Sequence, residues 1–350
     1  MPGVSAGPIE SFQDVHRAYL QTERAAGGPI DRFFTIGGYS IRLRFAGPAL
    51  EPLITPALEH LASVPVPTPA LTVCLWDDAA TSISTSSPPW LHACVTQPEP
   101  WVFNDARFSA IAQPASCTIN ILDKATDTAL YWIQDACLFP RPETGSPLLK
   151  ILQWWMGSHG RQLIHAGAVG TTEGGVLLAG KSGSGKSTAA LACLTSGMVY
   201  VGDDNCLLSN DLSPYVHSLY NTGKICIQDA ERFPLLRPAF AAASHLGTEK
   251  AVYLIHEHFP DRVAAGFPIR AVLIPRITGR SQTSLTPASS IEALKALGPS
   301  TVLQLRAGGY PASVLQEFAR LVSQVPCYYL ELGANLSAIP GVILPLLSSD

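Results

Sequence analysis

A glycine-rich stretch is the part of the sequence whose residue types and spacing could do chemistry. The pattern G-x-x-x-x-G-K-[ST] is met in full, between an apolar run and a helical pattern, by Gly180, Gly185, Lys186 and Ser187. Glycines in such a loop let backbone N–H groups point at phosphate oxygens, and the following helix adds its positive N-terminal end. We expect Lys186 to reach the β and γ phosphates of a nucleotide and the Ser187 hydroxyl to bind Mg²⁺.

Two adjacent carboxylates follow soon after this loop. Asp203 and Asp204 come just after the apolar run MVYV, which predicts a short buried strand. If this strand lies parallel beside the strand before the loop, both C-terminal ends meet at one edge of the sheet, where ligands collect. Phosphoryl transfer needs one carboxylate to support Mg²⁺ and one to accept the proton of the attacking hydroxyl. The alternative interpretation is a solvated turn, in which Asp is common.

His165 lies in the run QLIHAGAV, upstream of the loop, and this run predicts one strand. By alternation His165 shares a face with Leu163 and Gly167, as a histidine in a β-rich core would. A role in the chemistry is the other interpretation, and spacing alone leaves both open.

The elements that must position these residues are predicted from apolar patterning and turn residues. The strand GVLLA leads into the loop, and the helix STAALACL follows and ends at Gly197. Upstream, RFFTIGGYSIRL predicts two strands joined by a Gly-Gly turn, and LTVCLWDD, CTINILD and ALYWIQD predict three more. The proline-rich stretch CLFPRPETGSPLL predicts a boundary near residue 145. We therefore expect an α+β domain of residues 1–145 and an α/β domain of residues 146–350.

Composition narrows the function classes. The 350 residues are 47% hydrophobic and 14% charged, which is enough apolar surface for globular cores. A net charge of -4 without a dense run of Lys and Arg argues against nucleic acid as a partner. No apolar run approaches the roughly 20 residues that cross a bilayer, and the N-terminus lacks a signal-peptide pattern, so we expect a cytoplasmic protein without a membrane partner. The eight cysteines form no C-x-x-C pair, and Cys206 is expected to fill the core.

The segment HAGAVGTTEGGVLLAGKSGSGKSTAALACLTSGMVYVGDD resembles the catalytic segment of HPr kinase/phosphorylase and of the HPr-kinase-related serine kinases found beside peptide-modification genes. The likeness covers about 40 contiguous residues and includes a His, a strand-turn-strand, the loop, one helix and an Asp-Asp pair. It implies an α/β P-loop kinase domain of the HPr-kinase-like type, preceded by a smaller α+β domain, with ATP and Mg²⁺ as cofactors.

The resemblance also implies roles for single residues. Asp203 would accept the proton of the substrate hydroxyl, His165 would lie near the transferred phosphoryl group, and Asp204 would support the metal with Ser187. The phosphates would be bound by Gly180, Lys181, Ser182, Gly183, Ser184, Gly185, Lys186, Ser187 and Thr188.

The chain departs from the founding enzyme after the aspartate pair. An acidic metal ligand in a segment reading roughly E-x-R-G-L-G is expected there, and only Asp229 and Glu231 are acidic at about that distance. That segment helps to dock HPr and supports phosphorolysis, so we expect a kinase with a different acceptor. The basic residues that could neutralise phosphate charge, or could be plain surface charges, are Lys224, Lys250, Arg270, Arg276 and Arg280. Trp154 and Trp155 are expected to pack at the domain junction rather than to hold substrate.

Three functions follow as hypotheses. The first is an ATP-dependent serine kinase that acts on a peptide or protein, such as the C-terminal hydroxyl residue of a ribosomally made precursor peptide recognised by the N-terminal domain. The second is a small-molecule kinase, and the third is a nucleotide-dependent regulatory module that has lost transfer activity. The family contains oligomers, so a homo-oligomer is also compatible with the resemblance.

Overall fold

The computed structural model describes residues 8–79, 100–241, 244–246, 250–305 and 312–347. The N-terminal residues 1–7, on which part of the signal-peptide prediction rests, lie outside these ranges. The chain is a mixed α/β protein that divides into two compact units. The first contains Met1–Pro56 and Leu61–Ser158, and the second contains Ala57–His60 and His159–Asp350.

The first unit is built on one sheet. Its strands are β1 (Ile30–Ile36), β2 (Tyr39–Ala46), β3 (Leu71–Asp77), β4 (Trp101–Asn104), β5 (Phe108–Gln113), β6 (Thr118–Asp123) and β7 (Thr128–Ile133). The strand order is β1-β2-β3-β7-β6-β5-β4, in which β2, β3 and β7 are parallel neighbours and the other pairs are antiparallel. Its helices are α1 (Pro8–Ala25), α2 (Glu51–Ile54), α3 (Arg141–Thr144) and α4 (Leu149–Ser158). The predicted hairpin is confirmed, because Ile36 faces Tyr39 across the two-glycine turn.

The division between the units falls later than the predicted boundary near residue 145. Helix α4 belongs to the first unit, where Trp155 is buried and its indole N–H donates to Asp127 Oδ1 at 2.7 Å. Trp155 also packs edge-on against Tyr39 at 5.2 Å between ring centroids. The prolines that predicted a boundary stand instead around the short helix α3, within the first unit.

The second unit carries the glycine-rich loop on a nine-stranded sheet. The strands of the unit are β8 (Gln162–Ile164), β9 (Gly167–Thr171), β10 (Gly174–Leu178), β11 (Val199–Gly202), β12 (Cys206–Ser209), β13 (Tyr215–Ser218), β14 (Thr222–Cys226), β15 (Ser244–Leu246), β16 (Lys250–Leu254), β17 (Gly266–Ile277), β18 (Ser284–Pro287) and β19 (Cys327–Leu332). The order is β11-β9-β10-β17-β13-β12-β8, with β19 paired to the second half of β17 and β18 paired to β19. Strands β14, β16 and β15 form a separate three-stranded sheet.

In its described residues the second unit also contains the helices α5 (Lys186–Thr195), α6 (Arg237–Ala241), α7 (Ser290–Leu305), α8 (Ala312–Gln324) and α9 (Ile339–Ile343). Helix α5 is buried on nearly all sides, since every side chain from Ala189 to Leu194 is 3% exposed or less. Its C-terminal end is closed at Gly197, as predicted, by the Gly197 N–H on Leu194 O and the Met198 N–H on Cys193 O. None of the helices in the described ranges combines the length and the apolar character that a bilayer crossing requires.

The strand that precedes the aspartates is not the direct neighbour of the strand that precedes the loop. Strand β9 lies between β10 and β11 and is antiparallel to both, so β10 and β11 are parallel to each other with one strand between them. The predicted orientation is therefore confirmed, but the predicted adjacency is wrong. The reason is that the run QLIHAGAV, predicted as one strand, is broken at His165 and Ala166, and its halves pair with different partners.

Candidate active site

The loop between β10 and α5 has the backbone that its glycines predict. Gly180, Gly183 and Gly185 have positive φ angles of 152°, 79° and 102°. At Gly185 the positive φ disfavours any other residue, and a Cβ there would also press on a methyl group of Leu332 at the end of β19. Helix α5 begins directly after this residue, so its free N–H groups face the loop. The arrangement is a backbone cradle suited to an anion.

Lys186 lies inside the loop rather than in solvent. Its side chain is 7% exposed, and its ammonium group donates to Gly180 O at 2.7 Å and to Lys181 O at 3.3 Å. The hydroxyl of Ser184, in the same loop, is buried and has no hydrogen-bond partner in the part of the chain that the structure describes. A buried hydroxyl without a partner is costly unless a ligand bonds it. A buried ammonium favours a ligand of negative charge. Both features suit a loop that receives an anion.

Asp203 lies close to the start of the loop because strand β9, which begins at Gly167, pairs with both of the strands that lead to them. A Cβ on Gly167 would be 3.4 Å from Leu178 Cβ on one side and 3.5 Å from Asp203 Cα on the other. Strand β9 therefore brings the end of β11 against the end of β10. Two long-range pairings, and not the spacing along the chain, place Asp203 beside the loop.

The Asp203 carboxylate is the most unusual group in this region. It is 2% exposed, and while its Oδ2 accepts the Lys224 backbone N–H at 3.1 Å, its buried Oδ1 has no hydrogen-bond partner among the described residues. Burial, together with the neighbouring charge of Asp204, raises the pKa of Asp203 to about 6. A carboxylate with a pKa near neutrality and one unused oxygen is suited to accept a proton.

Asp204 has a different environment although it is the next residue. Its Oδ1 lies 3.2 Å from His165 Nδ1, and its Oδ2 accepts a hydrogen bond from the Lys224 ammonium. Burial opposes ionisation, but the charges of Lys224 and His165 outweigh it and lower the pKa of Asp204. Asp204 is therefore held as a carboxylate between the Lys224 ammonium and the His165 ring. Asp203, in contrast, has a pKa close to neutral pH.

Lys224, on β14, is the residue that links the two aspartates. Its backbone N–H donates to Asp203 and its side chain to Asp204. The sequence places it among several basic candidates, and its hydrogen bonds to both aspartates single it out among those whose side chains the structure describes. Of those others, Arg270 donates to Glu173 O at the surface, Arg280 is exposed, and the side chain of Lys250 lies outside the described residues.

A second contact set, not anticipated from the sequence, supports the strand that carries Asp203. The Ser218 hydroxyl donates its proton to Val201 O at 2.7 Å. His60 Nε2 lies 2.7 Å from the Ser218 Oγ, and because that hydroxyl proton is already used, His60 must be the donor to Ser218 Oγ. Burial lowers the pKa of His60 to about 3, which keeps the ring neutral. His60 belongs to the four-residue segment Ala57–His60 that the chain contributes to the second unit, so no local pattern could reveal it.

The remaining candidates from the sequence lie elsewhere. Asp229 pairs with Arg232 at 3.2 Å in a surface turn, and Glu231 is exposed in the same turn. Cys206 is fully buried and donates to Ala166 O at 3.5 Å, which confirms its predicted place in the core.

The residues present fit a nucleotide with Mg²⁺. The positive-φ loop and the buried Lys186 suit the phosphates, and the Ser187 hydroxyl lies near enough to Asp203 to help lower its pKa. Among the described residues no group of three His, Cys, Asp or Glu side chains could hold a metal by itself. Mg²⁺ needs no such group, since it keeps several waters and usually takes one or two carboxylates plus substrate phosphates.

His165 contacts Asp204 through Nδ1 and so is placed to orient its carboxylate. We expect His165→Gln to lower turnover about tenfold or more with little change in melting temperature, because the Nδ1 contact to Asp204 is lost while the His165 backbone bond to Thr301 Oγ1 is kept. His217→Gln is the control, since His217 bonds Ser209 on a different part of the sheet. Turnover measured beside thermal melts checks this. A lower melting temperature with an unchanged rate per folded molecule would show a core histidine instead.

Comparison with known proteins gives a structural likeness but no match at the level of sequence. No family model and no curated protein matches the sequence. Among solved structures, the HPr(Ser) kinase/phosphatase from Coxiella burnetii is similar with a TM-score of 0.28 and 15% sequence identity, over 50% of this chain and 81% of that chain. A likeness of this size does not establish a family or an activity, so the function is argued below from the site alone.

Proposed function

We propose that the chain is an ATP-dependent kinase that transfers the γ-phosphoryl group to a serine-type hydroxyl of a peptide or protein, such as a ribosomally made precursor peptide. The observation that carries the proposal is the buried Asp203 carboxylate, with a free oxygen and a pKa of about 6, beside a glycine loop with a buried lysine. A loop alone would suit a module that only binds nucleotide. A poised carboxylate next to it adds the group that transfer to a hydroxyl requires.

Each residue has a task in this proposal. The loop N–H groups and Lys186 bind and orient the phosphates, and Asp203 Oδ1 accepts the proton of the acceptor hydroxyl. Ser187 and Asp204 would hold Mg²⁺ or its waters. When bound, MgATP supplies the transferable phosphoryl group and a positive charge beside it. Lys224 and His165 hold the Asp204 carboxylate in place.

The metal task of Asp204 gives a separate prediction. Asp204→Asn is expected to raise the Mg²⁺ concentration needed for half-maximal activity by about tenfold, because a neutral amide supports the cation less well. Mg²⁺-dependent ADP binding, measured by calorimetry, should shift in the same direction, which gives a readout besides activity.

The asparagine should also remove a pH-dependent contribution to stability. The pKa of Asp204 is lowered in the folded state, so its contribution is present above the ordinary Asp value and is lost as the pH falls through the lowered one. Asp211→Asn is the control, since Asp211 is exposed and pairs with Arg161. An unchanged Mg²⁺ requirement in Asp204→Asn would remove Asp204 from the metal site.

The acceptor class is tested by transfer from labelled ATP to synthetic peptides that end in Ser, with the same peptides ending in Ala as matched controls. A gain of one phosphate by the Ser peptides alone, read by mass spectrometry, supports the proposal. Transfer to a free sugar or amino acid instead would favour a small-molecule kinase. Nucleotide binding without transfer to any hydroxyl acceptor would favour the regulatory module.

A further inference from the structure

A cavity of about 480 Å³ in the second unit opens on the glycine-rich loop. Gly180, Lys181 and Ser184 form its loop side, and the buried Ser184 hydroxyl without a partner belongs to this lining. The opposite side is formed by the end of β17, by Tyr329 on β19 and by helix α7. The volume lies within the range of about 300 to 1,000 Å³ that small-molecule sites occupy.

The side chains across the cavity from the loop are suited to a flat, polar ligand. The guanidinium of Arg276 lies 3.1 Å from the centre of the Tyr329 ring, so the ring covers one of its faces, and the Arg276 side chain is half exposed. The Tyr329 hydroxyl donates a hydrogen bond to Glu292 on α7. This bond is the main reason that the pKa of Glu292 is lowered to about 2. The other Glu292 oxygen accepts the Ser289 N–H at 2.9 Å and the Ser289 hydroxyl at 2.8 Å. The cavity thus offers a planar cation for stacking and an ionised carboxylate whose Oε1, bonded to Tyr329, can accept one further hydrogen bond.

The cavity and the aspartate pair lie on opposite sides of the loop. In the sheet order, β9 and β11 lie on one side of β10, and Asp203 follows β11. Strands β17 and β19, which bring Arg276 and Tyr329 to the cavity, lie on the other side of β10. An acceptor hydroxyl must approach Asp203, so the cavity is on the wrong side for the acceptor. A triphosphate that crosses the loop with its γ end at Asp203 has its other end at the cavity.

From this geometry we infer that the cavity is the nucleoside subsite, in which the base stacks on the free face of Arg276 and Glu292 accepts a hydrogen bond from the base or the ribose. This inference rests on the proposed function, since it needs the phosphates in the loop. Arg276 is one of the basic residues that the sequence offers for neutralising phosphate charge. In the nucleoside subsite Arg276 has a different task, because its planar guanidinium group recognises the base by stacking against it.

The test compares the binding of ADP with that of inorganic tripolyphosphate, which has phosphates but no nucleoside, by calorimetry on the full chain in Mg²⁺. Arg276→Ala is expected to weaken ADP binding about tenfold, the size of a partly desolvated stacking contact, and to leave tripolyphosphate binding unchanged. Arg276→Lys keeps a positive charge near Glu331 but loses the planar group, and it should weaken ADP selectively as well. Arg270→Ala is the matched control, because Arg270 lies on the same strand, is exposed and bonds Glu173 O instead.

The outcomes separate this inference from the proposed function. A selective loss of ADP binding in Arg276→Ala and Arg276→Lys, but not in Arg270→Ala, supports the nucleoside subsite. Equal weakening of ADP and tripolyphosphate would show that Arg276 neutralises phosphate and would overturn it, as would unchanged ADP binding in both Arg276 variants. A wild-type protein that binds neither ligand would overturn the proposed function, and this inference with it.

Discussion

Asp203→Asn is expected to lower turnover by ~10² to 10⁴ with little change in ATP affinity, because it removes the base and keeps the shape of the side chain. The amide oxygen of Asn can still accept the Lys224 backbone N–H that Asp203 Oδ2 accepts at 3.1 Å. Single-turnover transfer and nucleotide binding should be measured on the same preparations. Asp261→Asn is the control, since Asp261 is exposed in a surface turn.

The pH dependence of the same variant gives an independent check. Since the pKa of Asp203 is about 6, kcat/KM of the wild type should rise with pH and reach half its plateau near pH 6, whereas Asp203→Asn should lack this rise. The stability effect has the opposite sign. An acid whose pKa is raised by folding binds its proton more tightly in the folded state, so wild type should lose stability relative to Asp203→Asn as the pH increases from about 4 through 6.

A turnover in Asp203→Asn within a few-fold of wild type would contradict the assignment of the base. If Asp204→Asn instead showed the large loss and the missing rise with pH, the two aspartates would have exchanged tasks.

Lys186→Ala is expected to abolish measurable transfer and to weaken ATP binding, since a cation that stabilises the transferring phosphoryl group is commonly worth ~3 kcal/mol or more. The structure adds a local reason. The Lys186 ammonium bonds the carbonyls of Gly180 and Lys181 from inside the loop, so its removal also takes away a contact that shapes the cradle.

The control for this variant is Arg320→Ala, which removes an exposed cation on α8 that pairs with Glu317 of its own helix. Transfer rates and ADP dissociation constants of both variants decide the matter. Near-wild-type turnover in Lys186→Ala would mean that the phosphates bind somewhere other than this loop.

Local features of the candidate site were predictable from the sequence because each depends on a few neighbouring residues. The loop between β10 and α5 follows from its glycines, and the end of α5 follows from Gly197. The short strand β11 before the aspartates follows from its apolar run. In the first unit, the two glycines between β1 and β2 were sufficient to predict the hairpin.

The environment of each aspartate was decided only by the tertiary structure. Strand β9 inserts between β10 and β11, its first residue Gly167 lies between Leu178 and Asp203, and Lys224 comes from a separate sheet. None of these contacts has a signal in local spacing, because each joins segments that are far apart in the chain.

The difference between Asp203 and Asp204 has the same origin. Both have the same side chain and adjacent positions, so the sequence by itself determined that two carboxylates follow the loop, and nothing in it separates their pKa values. The fold buries Asp203, whose Oδ2 accepts a backbone N–H, and places Asp204 between a lysine and a histidine. Burial disfavours the charge of Asp203, whereas the nearby cations favour that of Asp204, and this balance exists only once distant strands have paired.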